Sequence, residues 1–384
     1  MKRGQVILPI ALILLIGLPL LGVWLSGKPL SRYLEFPPRS TYIQHDPFSW
    51  SVFVALALLI LLVTIPVVYR IVRFALRRSR MPFQEGRPTL GVFPWWGWAA
   101  MAWTMIWWVL AWTRFPWMSW LQEHTFTPLW LGYIVVVNGW TFARSGHCMM
   151  LHRPRYFLSL FPLSAGFWWF FEYLNRFVQN WHYLGAAELS PLEYFVRATI
   201  PFSTVLPAVI GTAELLTTFP ILCAGLEQWK QVRVEQAKLV GWSVLGLSCV
   251  GLFALGLLPN YLFPLVWLGP LLLIVSLETL TDQPTIVAPL ARGDWRLIWV
   301  PALAALVCGL FWELWNWRSL AHWEYALPFV HRLQVFEMPL LGYAGYLPFG
   351  LECLVVADFC LSRQFSGGAG CYSRQRGVLN GSNS

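Results

Sequence analysis

The sequence predicts an all-α membrane protein of about ten transmembrane helices with an internal parallel repeat of a three-helix unit. Three observations carry this prediction. The 384 residues are 57% hydrophobic and only 12% charged, against the ~25% charge of an ordinary soluble domain. Apolar stretches close to the ~20 residues that cross a bilayer recur along the chain. Two polar and aromatic stretches that end such runs, "FFEYLNRFVQNWHY" at 170–183 and "FWELWNWRSLAHWEY" at 311–325, repeat one order of residues.

In chain order the expected spans fall near 5–26, 50–69, 92–113, 127–143, 156–174, 201–225, 239–258, 261–280, 297–316 and 339–361. The first reads as an uncleaved anchor, because its apolar run is longer than a signal-peptide core and no small-residue cleavage site follows. Lys2 and Arg3 precede it, and Arg70, Arg73, Arg77, Arg78 and Arg80, then Arg144, Arg153 and Arg155, then Lys230, Arg233 and Lys238, then Arg292 and Arg296 gather on the same expected side. The positive-inside rule therefore puts both termini in the cytoplasm, with the chain in the inner membrane. The same rule accounts for the net charge of +9 without a nucleic-acid partner. Many of the 25 Trp are expected at helix ends, where the indole suits the water–lipid boundary.

The organisation read from these spans is a three-span region over 1–122, a first three-helix repeat over 123–226, a linking helix over 227–260, a second repeat over 261–363 and a disordered Gly/Ser-rich tail over 364–384. Three correspondences define the repeat. "PLWLGYIVVVNGWTF" resembles "LVWLGPLLLIVSLETL"; Glu172, Asn175, Trp181 and Tyr183 match Glu313, Asn316, Trp323 and Tyr325; and Pro201 to Glu214 matches Pro339 to Glu352, with the inner prolines Pro207 and Pro348 as partners. One linking helix returns the second unit to the orientation of the first, so the repeat is parallel.

The candidate chemistry lies in the repeated carboxylates. Glu172 and Asn175 share one helical face, as do Glu313 and Asn316. Glu172 has a bland alternative, an ion pair with Arg176 four residues on, but Trp317 stands at the matching place in the second unit. A carboxylate that recurs without its local partner points to a shared role, lining a central cavity or tying the two units together. Glu214 and Glu352 are expected about midway along their spans, pointing inward because exposure of charge to lipid is costly there. Glu193 in "SPLEYF" and Glu337 in "VFEMPL" are expected in short outer loops. Pro201 and Pro339 are expected to open helices, Pro207 and Pro348 to free carbonyls inside them, and Gly342 and Gly345 to permit close helix approach. The seven cysteines show no disulfide or haem-attachment spacing. The sequence presents no metal site and no cofactor motif.

The second-helix glutamate, the "WHY" at 181–183 and the "PLEYF" at 191–195, with "WEY" at 323–325 and "FEMP" at 336–339 in the second unit, resemble the three-helix unit of the heterodimeric and fungal fused lycopene cyclases. The likeness covers roughly 127–226 and 261–361. "FEYLNRFVQNW" and "FEMPLLGY" also resemble an uncharacterised bacterial membrane-protein family. The departures from the cyclase pattern are Tyr194 after Glu193, where a second acid is expected, and a proline that follows Glu337 instead of preceding it. The resemblance implies an isoprenoid lipid as partner and, as catalytic acids and bases, Glu172, Glu313, Glu193 and Glu337. It implies substrate contacts from Trp181, Tyr183, Trp323 and Tyr325, while Asn175, Asn316, Glu214 and Glu352 are read as further substrate contacts from their places in the repeat. An acid would protonate a double bond, aromatic faces would stabilise the cation and a carboxylate would take a proton back. Two other readings of the same residues are a proton-coupled transporter or channel using Glu214 and Glu352, and a scaffold whose aromatic loops dock a protein partner.

Overall fold

A computed structural model of the chain describes residues 4–79, 91–185 and 188–362. Lys2, Arg3, Arg80 and the 364–384 tail lie outside the described residues. The principal helices are α1 (Gly4–Leu25), α2 (Trp50–Ser79), α3 (Trp95–Trp112), α4 (Phe126–Ser145), α5 (Pro154–Val178), α6 (Pro191–Phe202), α7 (Val205–Thr217), α8 (Ala237–Ala254), α9 (Leu265–Leu280), α10 (Arg296–Asn316) and α11 (Tyr346–Ala357).

Helix occupies each of the ten expected segments, and among the described residues seven helical stretches are long and apolar enough to cross a membrane. These are Ile7–Leu25, Trp50–Arg77, Phe126–Ser145, Pro191–Thr217, Ala237–Ala254, Arg296–Asn316 and Leu340–Leu361. The helix α9, with 16 residues, is shorter than the bilayer requires on its own. In α5 the apolar run is diluted by Arg155, Glu172, Asn175 and Arg176.

Two expected boundaries shift for physical reasons. The sixth segment starts at Pro191, ten residues before the expected 201, because Ser190 and Glu193 close a reciprocal capping box there. It stops at Thr217 and breaks between Phe202 and Val205. Pro201 therefore ends a helix instead of opening one, and Pro339 lies in a two-residue strand, Met338–Pro339. Pro207 and Pro348 are each the third residue of their helices, α7 and α11. In that first turn a missing N–H breaks no helical hydrogen bond, so neither proline frees a carbonyl in mid-helix.

The packing centres on aromatic side chains. α7 packs against α4, α5 and α10, and α10 packs in turn on α11, while α8 lies against α9 and α1. Gly350 sets the α11–α10 crossing, since a Cβ there would collide with the carbonyl of Pro301. Trp130 of α4 packs on Trp312 of α10 with ring centroids 5.0 Å apart, and Trp267 of α9 stacks on Phe171 of α5, also at 5.0 Å. The two contacts cross between the halves of the chain: α4 meets α10, and α9 meets α5.

Beyond the ends of α5 and α10 the chain forms two short strands that the hydropathy pattern does not announce, β1 (Trp181–Leu184) and β2 (His322–Tyr325). They pair antiparallel, with Trp181 opposite Tyr325, His182 opposite Glu324 and Tyr183 opposite Trp323. With Trp181 matched to Trp323 and Tyr183 to Tyr325, this register maps onto itself when the strands are exchanged. Two-fold self-complementary interfaces have this property.

Candidate functional site

Each strand is held by the asparagine at the end of the helix before it. Asn175 Oδ1 accepts from the backbone N–H of Asn180 at 2.8 Å, and its Nδ2 donates to the carbonyl of Trp181 at 2.8 Å. Asn316 makes the same clamp, accepting from Trp323 N–H at 2.9 Å and donating to the Trp323 carbonyl at 2.7 Å. Both asparagines are buried. They fix the chain reversal that carries a tyrosine back over the glutamate one turn earlier.

Glu172 Oε1 accepts from Tyr183 Oη at 2.7 Å, Trp181 Nε1 at 2.9 Å and Trp168 Nε1 at 3.1 Å. The carboxylate turns to these donors and not to Arg176, the helical neighbour. Glu313 Oε1 accepts from Tyr325 Oη and Tyr346 Oη, each at 2.6 Å, and its Oε2 is buried without a hydrogen-bond partner. The clusters differ in two places: Trp323 Nε1 donates to Tyr325 Oη at 2.8 Å, where Trp181 Nε1 donates to the carboxylate, and the residue one turn before the glutamate is different. One turn before Glu172 stands Trp168, which supplies an indole; one turn before Glu313 stands Gly309, where a Cβ would overlap the Tyr346 ring. The missing side chain admits Tyr346, and its hydroxyl replaces the indole. Burial pushes the phenols of Tyr183 and Tyr325 well above their ordinary value of 10.0, and the adjoining carboxylate of Glu172 or Glu313 adds to the shift. Both phenols therefore stay neutral and remain donors.

These clusters stand behind the wall of a cavity of about 1230 Å³. Trp168, Trp181, Phe202, Trp267, Trp312 and Trp323 line it, together with the phenols Tyr183, Tyr325 and Tyr346. The aliphatic residues Leu56, Leu59, Ile60 and Val63 of α2 close its flank. The volume exceeds the ~300–1,000 Å³ of a typical small-molecule pocket, and the wall is apolar and aromatic with a few convergent hydroxyls. Glu172 and Glu313 reach it only through the phenol and indole donors in front of them.

The residues expected to form a site separate into groups. Trp181, Tyr183, Trp323 and Tyr325 line the cavity; Glu172 and Glu313 back them; Asn175 and Asn316 hold the strands. Glu193 is exposed in the first turn of α6, where Oε2 accepts from the Ser190 amide and hydroxyl at 2.9 and 2.7 Å. Glu337 lies in the turn between Gln334–Val335 and Met338–Pro339. Neither lines the cavity.

Glu214 and Glu352 are not structural equivalents. Glu172 and Glu313, Asn175 and Asn316, and Pro207 and Pro348 share one offset of 141 residues. On that offset Glu214 matches Val355 and Glu352 matches Gly211. Glu214 also lies close to the end of α7, not midway along a span, because α7 stops at Thr217. There its Oε2 accepts from Met149 N–H at 2.9 Å and its Oε1 pairs with Arg153 at 3.4 Å. Glu352 is buried in α11 and accepts at 3.1 Å from the amide of Leu271, the residue after Pro270 within α9. This bond ties α11 to α9.

Sequence reasoning missed Trp168, Trp267, Trp312 and Tyr346. The shared "WLG" of the first helices held a signal for Trp267, but an indole in an apolar run reads equally as an interface anchor. Comparison of the chain with family models, curated proteins and solved structures finds no match.

Proposed function

We propose that this chain is an integral inner-membrane protein that binds an apolar, isoprenoid-type lipid between two copies of a three-helix unit. In this reading the paired Glu–Tyr clusters supply acid–base groups at the lipid. The observation that carries it is the placement of three carboxylate-backed phenols on the wall of a large aromatic cavity. An apolar chain would gain about 25 cal/mol for each Å² it buries there, and the aromatic faces suit a polyene or a developing carbocation. Proton movement would run from a buried carboxyl through Tyr183, Tyr325 or Tyr346, because those hydroxyls stand between the carboxylates and the cavity.

The duplication is supported by the matched Asn clamps, the returned tyrosines, the crossing Trp contacts and the self-complementary register. The ten-span topology with both termini cytoplasmic rests on the helix at every expected segment and on the distribution of Lys and Arg; it puts the β1–β2 ladder on the outer side. Transport through Glu214 and Glu352 draws less support, since one is paired with Arg153 at a helix end and the other bonds a backbone amide of α9, and neither lines the cavity.

The test is incubation of bilayer-reconstituted protein with an isoprenoid series, followed by mass spectrometry of bound and transformed species. The wild type binds, and Glu172→Gln with Glu313→Gln abolishes any conversion while the protein remains folded. Absence of isoprenoid binding by the folded wild type refutes the proposal.

A further inference from the structure

Among the described residues that line the cavity, two buried side chains outside the Glu–Tyr clusters have polar atoms without a hydrogen-bond partner, the Tyr194 hydroxyl and the Asn180 amide, and only the amide lacks a partner for both a donor and an acceptor atom. Asn180, between the end of α5 and β1, lines the cavity and is only 1% exposed. Its backbone is committed: the N–H donates to Asn175 Oδ1 at 2.8 Å, and the carbonyl accepts from Ala326 N–H at 2.8 Å. Its side-chain amide is not committed, since both Oδ1 and Nδ2 are buried without a hydrogen-bond partner. An unsatisfied buried amide is destabilising, and here the backbone anchors hold it in a largely apolar, aromatic wall.

We infer that Asn180 receives the polar end of the lipid, and that this end is an uncharged hydroxyl. The inference rests on the lipid-binding reading above and names the substrate class for the same cavity. An amide needs one donor and one acceptor opposite it, and a hydroxyl supplies both. A pure hydrocarbon supplies neither. An anionic phosphate has no donor for Oδ1 when fully ionised, and it would enter a wall backed by the carboxyl groups of Glu172 and Glu313. The guanidinium of Arg197 on the cavity wall is already paired with Glu123 at 3.1 Å. The terminal torsion of asparagine is broad, so the amide turns towards a ligand without leaving its side-chain well.

The experiment uses the full chain in lipid nanodiscs and three probes: geranylgeraniol, the same chain lacking its hydroxyl, and geranylgeranyl phosphate. Binding is followed by native mass spectrometry and by fluorescence of the cavity tryptophans. The alcohol is expected to bind about tenfold more tightly than the hydrocarbon, as two modest hydrogen bonds allow, and more tightly than the phosphate. Asn180→Leu is expected to equalise alcohol and hydrocarbon without lowering thermal stability, because it removes an unsatisfied amide. Asn180→Asp serves as a second variant should Leu fail to fold, and is expected to weaken alcohol binding by leaving a buried charge. Equal binding of alcohol and hydrocarbon by the wild type, an alcohol preference that survives Asn180→Leu, or tighter binding of the phosphate overturns the inference. Equal binding leaves the lipid cavity standing; binding of no probe overturns the cavity reading as well.

Discussion

Glu313 accepts from Tyr346 where Glu172 accepts from Trp168, because the side chain one turn earlier differs: Gly309 in one case and Trp168 in the other. Gly309→Ala is therefore expected to displace Tyr346 and to lower stability by about 1–3 kcal/mol, the usual cost of overpacking a filled site; thermal unfolding in detergent measures it. Tyr346→Phe keeps the packing and removes the hydroxyl, leaving Glu313 with Tyr325 alone. Any conversion of a bound lipid that depends on Glu313 then falls in rate, while unfolding changes by only about 1 kcal/mol. The recurrence of Glu172 and Asn175 as Glu313 and Asn316 was legible in the sequence. The exchange of Trp168 for Gly309 was visible too, but its meaning was not, since Tyr346 lies 37 positions after Gly309 and comes beside it only when α11 packs on α10.

The β1–β2 ladder is the element on which both clusters depend. It escaped sequence analysis because four-residue strands such as "WHYL" and "HWEY" give too little alternation to register, and their pairing partners are far apart in the chain with no turn between them. Asn175→Ala or Asn316→Ala removes one clamp and leaves buried backbone groups without partners. Each is expected to cost about 1–3 kcal/mol and to increase hydrogen exchange in the attached strand. The ladder also predicts an alkaline response. Burial holds the phenols of Tyr183 and Tyr325 above the 10.0 of the unfolded chain, so the folded state keeps protons that the unfolded state releases. Their contribution is complete below pH ~10 and is lost as pH rises above it. Tyr183→Phe with Tyr325→Phe should flatten the fall in unfolding midpoint measured from about pH 9 to pH 11, relative to wild type.

At the scale of the molecule, hydropathy located the helices but not the space between them. Apolar runs record how much of the chain avoids water, which placed helix at all ten segments; the cavity arises from contacts among α2, α5, α6, α9, α10, α11 and the strands, none of which leaves a local signature. The sixth segment shows the limit at a boundary, where the polar Ser190–Glu193 cap read as loop although it begins a helix. The proposed sidedness predicts that His182→Cys, at an exposed ladder position, reacts with a membrane-impermeant maleimide added outside intact cells; labelling only after lysis would invert the topology. Occupancy of the cavity by a lipid is the central claim, and mass spectrometry of lipid retained through purification tests it most directly. Wild-type protein is expected to carry an isoprenoid-type lipid in near-stoichiometric amount, and Ala198→Trp, which fills the cavity from α6, is expected to lose it while keeping its fold. Wild type and Ala198→Trp carrying the same lipids in the same amounts would contradict the claim.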